Sequence, residues 1–159
     1  MEDLFVLDTE QVARILSSEW FVDGLLQNVA FTLLENETYI SVNRPAVSTY
    51  NIDVKAFLER HPKYIFENDN YKRALLNVSD IRSINVDAFG EALTINVEVE
   101  PRDKFTKSHA GIFTRLGDKN VKKGDVLTYL EKGISADDVL MKVRSLLSSL
   151  AKQETCKFS

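Results

Sequence analysis

Ala92-Leu93-Thr94-Ile95-Asn96-Val97-Glu98-Val99-Glu100 alternates apolar and polar residues without a break. Side chains of an extended chain point to opposite faces in turn, so Leu93, Ile95, Val97 and Val99 share one face and Thr94, Asn96, Glu98 and Glu100 the other. This pattern predicts a half-buried strand, and it commits the chain to a sheet with at least one covered face. Upstream, Asn77 to Val86 reads as a less regular strand. Gly90-Glu91 suits a hairpin between the two, with a connection from Asp87 to Glu91 longer than the tightest turns. Further back, Tyr39, Ser41 and Asn43 alternate with Ile40 and Val42. Pro45 ends that strand or holds it at an edge, since proline donates nothing to a ladder.

Helical spacing surrounds these strands. From Asp8 to Leu16, Asp8 or Thr9 can cap, Gln11 can complete a box with Asp8, and Val12, Ile15 and Leu16 share a face. Asn51 to Arg60 predicts a second helix, with Asn51 as cap, Asp53 in the first turn and Val54, Phe57 and Leu58 as its stripe. His61-Pro62 ends it, and His61 there compensates the helix dipole. Tyr64 to Leu76 has room for a short helix. The closing helix follows Ser135-Ala136-Asp137-Asp138, a cap and an acidic first turn. Val139, Leu140, Val143, Leu146, Leu147 and Leu150 then recur at helical spacing, while Lys142, Arg144 and Ser148 turn away. Beyond Ala151 no apolar pattern continues, which predicts a frayed end. The expected architecture is α+β: a small antiparallel or mixed sheet with N- and C-terminal helices packed on it. Residues 1–152 form one domain in this reading, and 153–159 a frayed tail.

Composition narrows the class. A chain of 159 residues, 44% hydrophobic and 28% charged, can bury a core and fits neither a disordered nor a fibrous protein. The net charge of -4 lacks the broad positive field that nucleic-acid binding draws on. Lys104 to Lys107 and Lys119 to Lys123 are the densest basic stretches, each diluted by other residues. No apolar run approaches the roughly 20 residues of a membrane helix. The opening Met1-Glu2-Asp3-Leu4 carries no secretory pattern, and a cytoplasmic protein is expected. Cys156 has no cysteine partner, only His61 and His109 supply imidazoles, and no Gly-rich phosphate loop, His-Glu-x-x-His or Gly-x-Ser-x-Gly occurs. Neither a metal nor a cofactor is expected.

Two polar clusters remain as candidates: Ser41-Val42-Asn43-Arg44-Pro45 and Ser108-His109-Ala110-Gly111-Ile112. His109 can serve as an acid or base, or be fixed at a turn by backbone carbonyls. Gly111 admits close approach by a ligand or another strand. Arg44 offers a planar fork for a phosphate or carboxylate, with Ser41, Asn43 and Ser108 as orienting hydrogen-bond groups. The alternative is architectural: such residues cap a helix or bridge to an acidic surface.

Ala30-Phe31-Thr32-Leu33, Glu37, Ile40-Ser41-Val42-Asn43, Leu75-Leu76-Asn77-Val78 and Ser108-His109-Ala110-Gly111-Ile112 together resemble a family of bacterial proteins of unknown function. Its members carry Leu-Ser-Val-Asn, Leu-Asn-Val and Ser-His-Ala-Gly-Ile segments, and the resemblance covers residues 30 to 116. Many members continue after the asparagine with Trp-Leu-Glu, where this chain has Arg44-Pro45-Ala46, so no role of that acidic residue transfers. The resemblance implies a bacterial, cytoplasmic protein and brings no activity.

Three functional expectations follow. The first is a non-enzymatic binding or regulatory domain with a protein or small-molecule partner. The second is a small enzyme or toxin-like effector acting on a nucleotide or nucleic acid, with His109 as acid/base and Arg44 as phosphate clamp; it requires both clusters to face one pocket. The third is an assembly subunit, its dimer seam made by the closing helix and Trp20-Phe21.

Overall fold

The computed structural model describes residues 5–34, 36–86, 93–100, 106–124 and 135–157. Among the described residues the strands are β1 (Gln11–Ile15), β2 (Phe21–Val22), β3 (Leu25–Leu26), β4 (Ile40–Asn43), β5 (Asn70–Asn77), β6 (Leu93–Val99), β7 (His109–Leu116), β8 (Lys119–Asn120) and β9 (Lys152–Lys157). The α-helices described are α1 (Tyr50–Arg60), α2 (Val78–Arg82) and α3 (Ala136–Leu150). Seven strands form one sheet in the order β6-β7-β4-β1-β5-β9, with β8 folded back on β7. Each of its pairings is antiparallel. The separate β2-β3 hairpin turns through Asp23 and Gly24, both at positive φ (51° and 79°), as a two-residue hairpin turn requires.

The sheet is covered on both faces. On one, α2 and α3 bring Val78, Ile81, Val139, Val143 and Leu147 against Val12, Val42, Leu76, Val97 and Ile112. Each such side chain contributes about 1.5–3 kcal/mol when fully buried. On the other, α1 lays Tyr50, Val54 and Leu58 over Ala13, Ile15, Tyr71 and Leu75. That helix covers the β1-β5-β9 part of the sheet. The same face of β4 and β7, carrying Ser41, Asn43 and His109, lies beside it.

The α+β class holds, with a large antiparallel sheet, and β6 is the alternating strand expected. Helices form at Tyr50–Arg60 and Ala136–Leu150, close to where their patterns place them, but Asn51 does not cap the first: it lies inside the helix and Thr49 holds the N-cap position. Ser135 accepts from the Asp138 amide at 3.2 Å while Asp138 Oδ2 accepts from the Ser135 amide at 3.1 Å, closing a capping box. Within the chain Trp20 packs edge-on to Tyr64 and Phe21 to Phe66.

Other expectations are corrected or sharpened. The segment from Asp8 to Leu16 is not a helix; its core is β1. A central strand is covered on both faces, so Val12 and Ala13 are both fully buried, and the strand loses strict alternation. Val12, Ile15 and Leu16 then mimic a helical face. Residues 77–86 are not one strand, because β5 ends at Asn77 and α2 follows, with Val78 and Ile81 three apart on the core side. The partner of β6 is β7, and the expected hairpin connection at 87–91 lies outside the described residues. The stretch from Tyr64 to Leu76 holds mostly β5, entered through a tight turn at Glu67–Asp69 with Asn68 and Asp69 at positive φ. The tail is β9, paired with β5 from Lys152↔Leu75 to Lys157↔Asn70. Backbone hydrogen bonds and the Arg73–Glu154 ion pair (2.9 Å) hold it, which is why no apolar pattern announces it.

Candidate functional site

The cleft begins where β1 and β4 part. Their ladder registers at one pair, Ala13↔Asn43. Beyond it the Ser41 carbonyl has Arg14 as its partner: Arg14 Nη1 donates to Ser41 O at 2.8 Å and Nε to Ala30 O at 3.0 Å. A buried carbonyl must be paired, and the guanidinium fork closes the gap the strands leave. Burial pushes the Arg14 guanidinium down from its ordinary value, partly offset by Tyr64 and Glu37, and an arginine remains charged regardless. Its Nη2 makes no hydrogen bond among the described residues.

Around this cation the chain arranges a cleft of about 470 Å³, lined among others by Arg14, Trp20, Ser41, Phe57, Tyr64 and His109. Small-molecule sites span about 300–1,000 Å³. One wall is aromatic: Trp20 and Tyr64 meet edge-to-face at 5.7 Å, Phe57 and Tyr64 at 4.9 Å, and the Arg14 guanidinium lies 4.9 Å from the Trp20 ring. The opposite wall is polar. Ser41 Oγ and His109 Nε2 share a hydrogen bond of 2.7 Å, made diagonally across the β4-β7 ladder. Asn43 Nδ2 donates to Ser108 Oγ at 3.0 Å. Asp53 ties α1 to this wall, since its Oδ2 accepts from the Ser108 amide at 3.0 Å and the Thr49 hydroxyl at 2.9 Å.

The two polar clusters therefore meet, but without one member. Ser41, Asn43 and His109 line the cleft. Ser108 is fully buried and holds the wall together from behind. Arg44 corrects the phosphate-clamp expectation. It is 2% exposed and lines a different cavity with Phe5, Leu7 and Val47. Its Nε and Nη2 each donate to Glu10 at 2.9 Å, and Nη2 also to the Phe5 carbonyl at 2.9 Å. Burial pushes the Glu10 carboxyl up, but the Arg44 guanidinium and the Leu7 amide overcome this and hold it below its ordinary value. Arg44 is thus an acid-bridging structural residue, as its architectural alternative has it.

Gly111 also acquires a definite role. A Cβ there would lie 2.6 Å from Tyr39 Cδ2 and 2.9 Å from Phe113 Cε2. The close approach it permits is that of the Tyr39 ring, which stacks beside Phe113 and stands 5.9 Å from the His109 ring. His61 ends α1 as expected, with its ring against Phe57 at 4.7 Å.

Sequence reasoning missed Arg14, Trp20, Phe57 and Tyr64 as site residues. Arg14 carried a signal: one arginine inside Val12-Ala13-Arg14-Ile15-Leu16 is a charge in an apolar run. Among the described residues no group of acidic, histidine and cysteine side chains could hold a metal, and no helix is long and apolar enough to cross a membrane. No family model, curated protein or solved structure matches the chain.

Proposed function

We propose that the protein is a non-enzymatic binding domain, and that the cleft between α1 and β4 receives a small molecule. One observation carries this reading. Arg14 is fixed by two carbonyls at the base of a cleft with an aromatic wall, and its Nη2 is left for an occupant. Concave sites with apolar walls and a few placed polar groups are the usual form of ligand sites. The unpaired thiol of Cys156 suits a cytoplasmic setting.

The test uses the chain's one tryptophan, which lines the cleft. A fragment library titrated into ¹⁵N-labelled protein should shift the Trp20 indole N–H together with Ser41 and His109. Hits confined to the cavity beside Arg44, or none, contradict the reading.

The 2.7 Å contact between Ser41 Oγ and His109 Nε2 favours a second reading, a small enzyme acting on a nucleotide or nucleic acid. His109 would remain the acid or base, and Arg14 would take the clamp position that Arg44 vacates. Turnover of a nucleotide or oligonucleotide, abolished in His109→Ala at unchanged melting temperature, would establish it in place of the first.

A further inference from the structure

The chemistry around Arg14 narrows what the cleft accepts. Among the described residues, six charged or titratable side chains line it: Arg14, Arg60, Glu37, Asp53, Tyr64 and His109. Each carboxylate spends one of its two oxygens on the fold. Asp53 Oδ2 accepts two hydrogen bonds, and Glu37 Oε1 accepts from the Leu34 amide at 2.7 Å. The guanidinium groups are not saturated. Arg14 uses Nε and Nη1 on carbonyls and leaves Nη2, while the Arg60 guanidinium, at the end of α1, makes no hydrogen bond among the described residues. The cleft therefore presents unused donors on cations, while its carboxylates are partly spent.

Geometry adds a second requirement. A guanidinium is a planar fork that pairs with two oxygens of a carboxylate or phosphate, and such pairing strengthens where water is excluded. Arg14 cannot turn to seek a partner, because two carbonyls fix its plane. The faces and edges of Trp20, Phe57 and Tyr64 stand beside it, and the Trp20 ring already lies against the Arg14 cation. A bare anion would leave that wall uncovered, whereas a bare ring would leave Nη2 unpaired. One molecule satisfies both when it carries a ring next to an oxyanion.

We infer that the cleft binds a ring-bearing oxyanion, an aromatic carboxylate or phosphate monoester, with the acidic group on Arg14 Nη2 and the ring against Trp20, Phe57 and Tyr64. This deepens the binding reading and rests on it. Arg60 adds an exposed positive charge to the cleft lining, which the Ser41–His109 pair shares.

The experiment is an NMR titration of the intact chain with matched compounds: benzoate against benzamide, phenyl phosphate against phenol, and benzylamine as the cation. The anions should shift Trp20, Ser41 and His109 and bind at least about tenfold more tightly than their neutral partners, the worth of a charge-assisted hydrogen bond. Added salt should weaken the anions and leave benzamide and phenol unaffected. Arg14→Lys should remove most of the preference. Because Arg14 also closes the sheet, Arg60→Gln provides a second variant on an exposed residue, expected to weaken the anions a few-fold and the neutral compounds not at all. Benzamide, phenol or benzylamine binding the cleft as tightly as the anions would overturn this inference while the cleft remained a ligand site. No cleft shift from any compound, in this panel or in the fragment library, would overturn the binding reading as well.

Discussion

Gly111 and Glu10 show how single residues hold the site in place. At Gly111 any side chain collides with the Tyr39 and Phe113 rings, and the strand cannot move without disturbing both its neighbours in the sheet. Gly111→Ala should therefore cost about 1–3 kcal/mol in urea unfolding, the usual penalty of overpacking. At Glu10, Glu10→Gln removes a carboxylate that accepts two charge-assisted hydrogen bonds from the buried Arg44 guanidinium, and about 1.5–3 kcal/mol of stability should be lost at neutral pH. The sign of its pH dependence follows from the lowered carboxyl. The folded group titrates below its ordinary 4.5, so its contribution is present above that value and is lost as pH falls through the lowered one. The stability gap between wild type and Glu10→Gln should close on acidification; a gap that widened would contradict the pairing. Residue roles were only partly legible beforehand. The Ser41 and His109 clusters were readable as two unexplained polar groups, but that they meet was not. Which arginine served the cleft was not, because Arg44 and Arg14 differ in their partners, and partners are set by chain neighbours 34 and 27 residues away.

At the scale of elements, periodicity succeeded where one face is buried and failed elsewhere. The sequence 92–100 alternates because β6 has one covered face, and α3 repeats because its stripe is buried against the sheet. Ser135→Ala should cost α3 about 1 kcal/mol, the ordinary worth of an N-cap, measured by thermal or urea unfolding. The centre and the edge of the sheet carry no such signature. Strand β1 is covered on both sides and lost its alternation to the α-like spacing of Val12, Ile15 and Leu16. Strand β9 is Lys-Gln-Glu-Thr-Cys-Lys, polar along its length, and is held by its ladder. Hydrogen exchange separates strand from frayed tail: within Lys152–Lys157 the amides that donate to β5 should be protected, alternating with exposed ones. Uniformly fast exchange there would contradict the ladder.

Across the whole molecule, the cleft is a product of sheet order. Placing β1 between β4 and β5 puts Arg14 beside Ser41, and the split of β1 from β4 opens the space that α1 then walls with Phe57 and Asp53. Strands β1 and β4 and helix α1 are far apart in sequence, so the site became visible only with the topology. Its central feature is the open donor of Arg14. The most direct test is a crystal structure of the protein grown with phenyl phosphate. A phosphate oxygen within hydrogen-bond distance of Arg14 Nη2, with the phenyl ring against Trp20, Phe57 and Tyr64, is the expected result. A phosphate held by surface lysines, or Arg14 Nη2 bonded within the protein and the cleft filled by water, would contradict it.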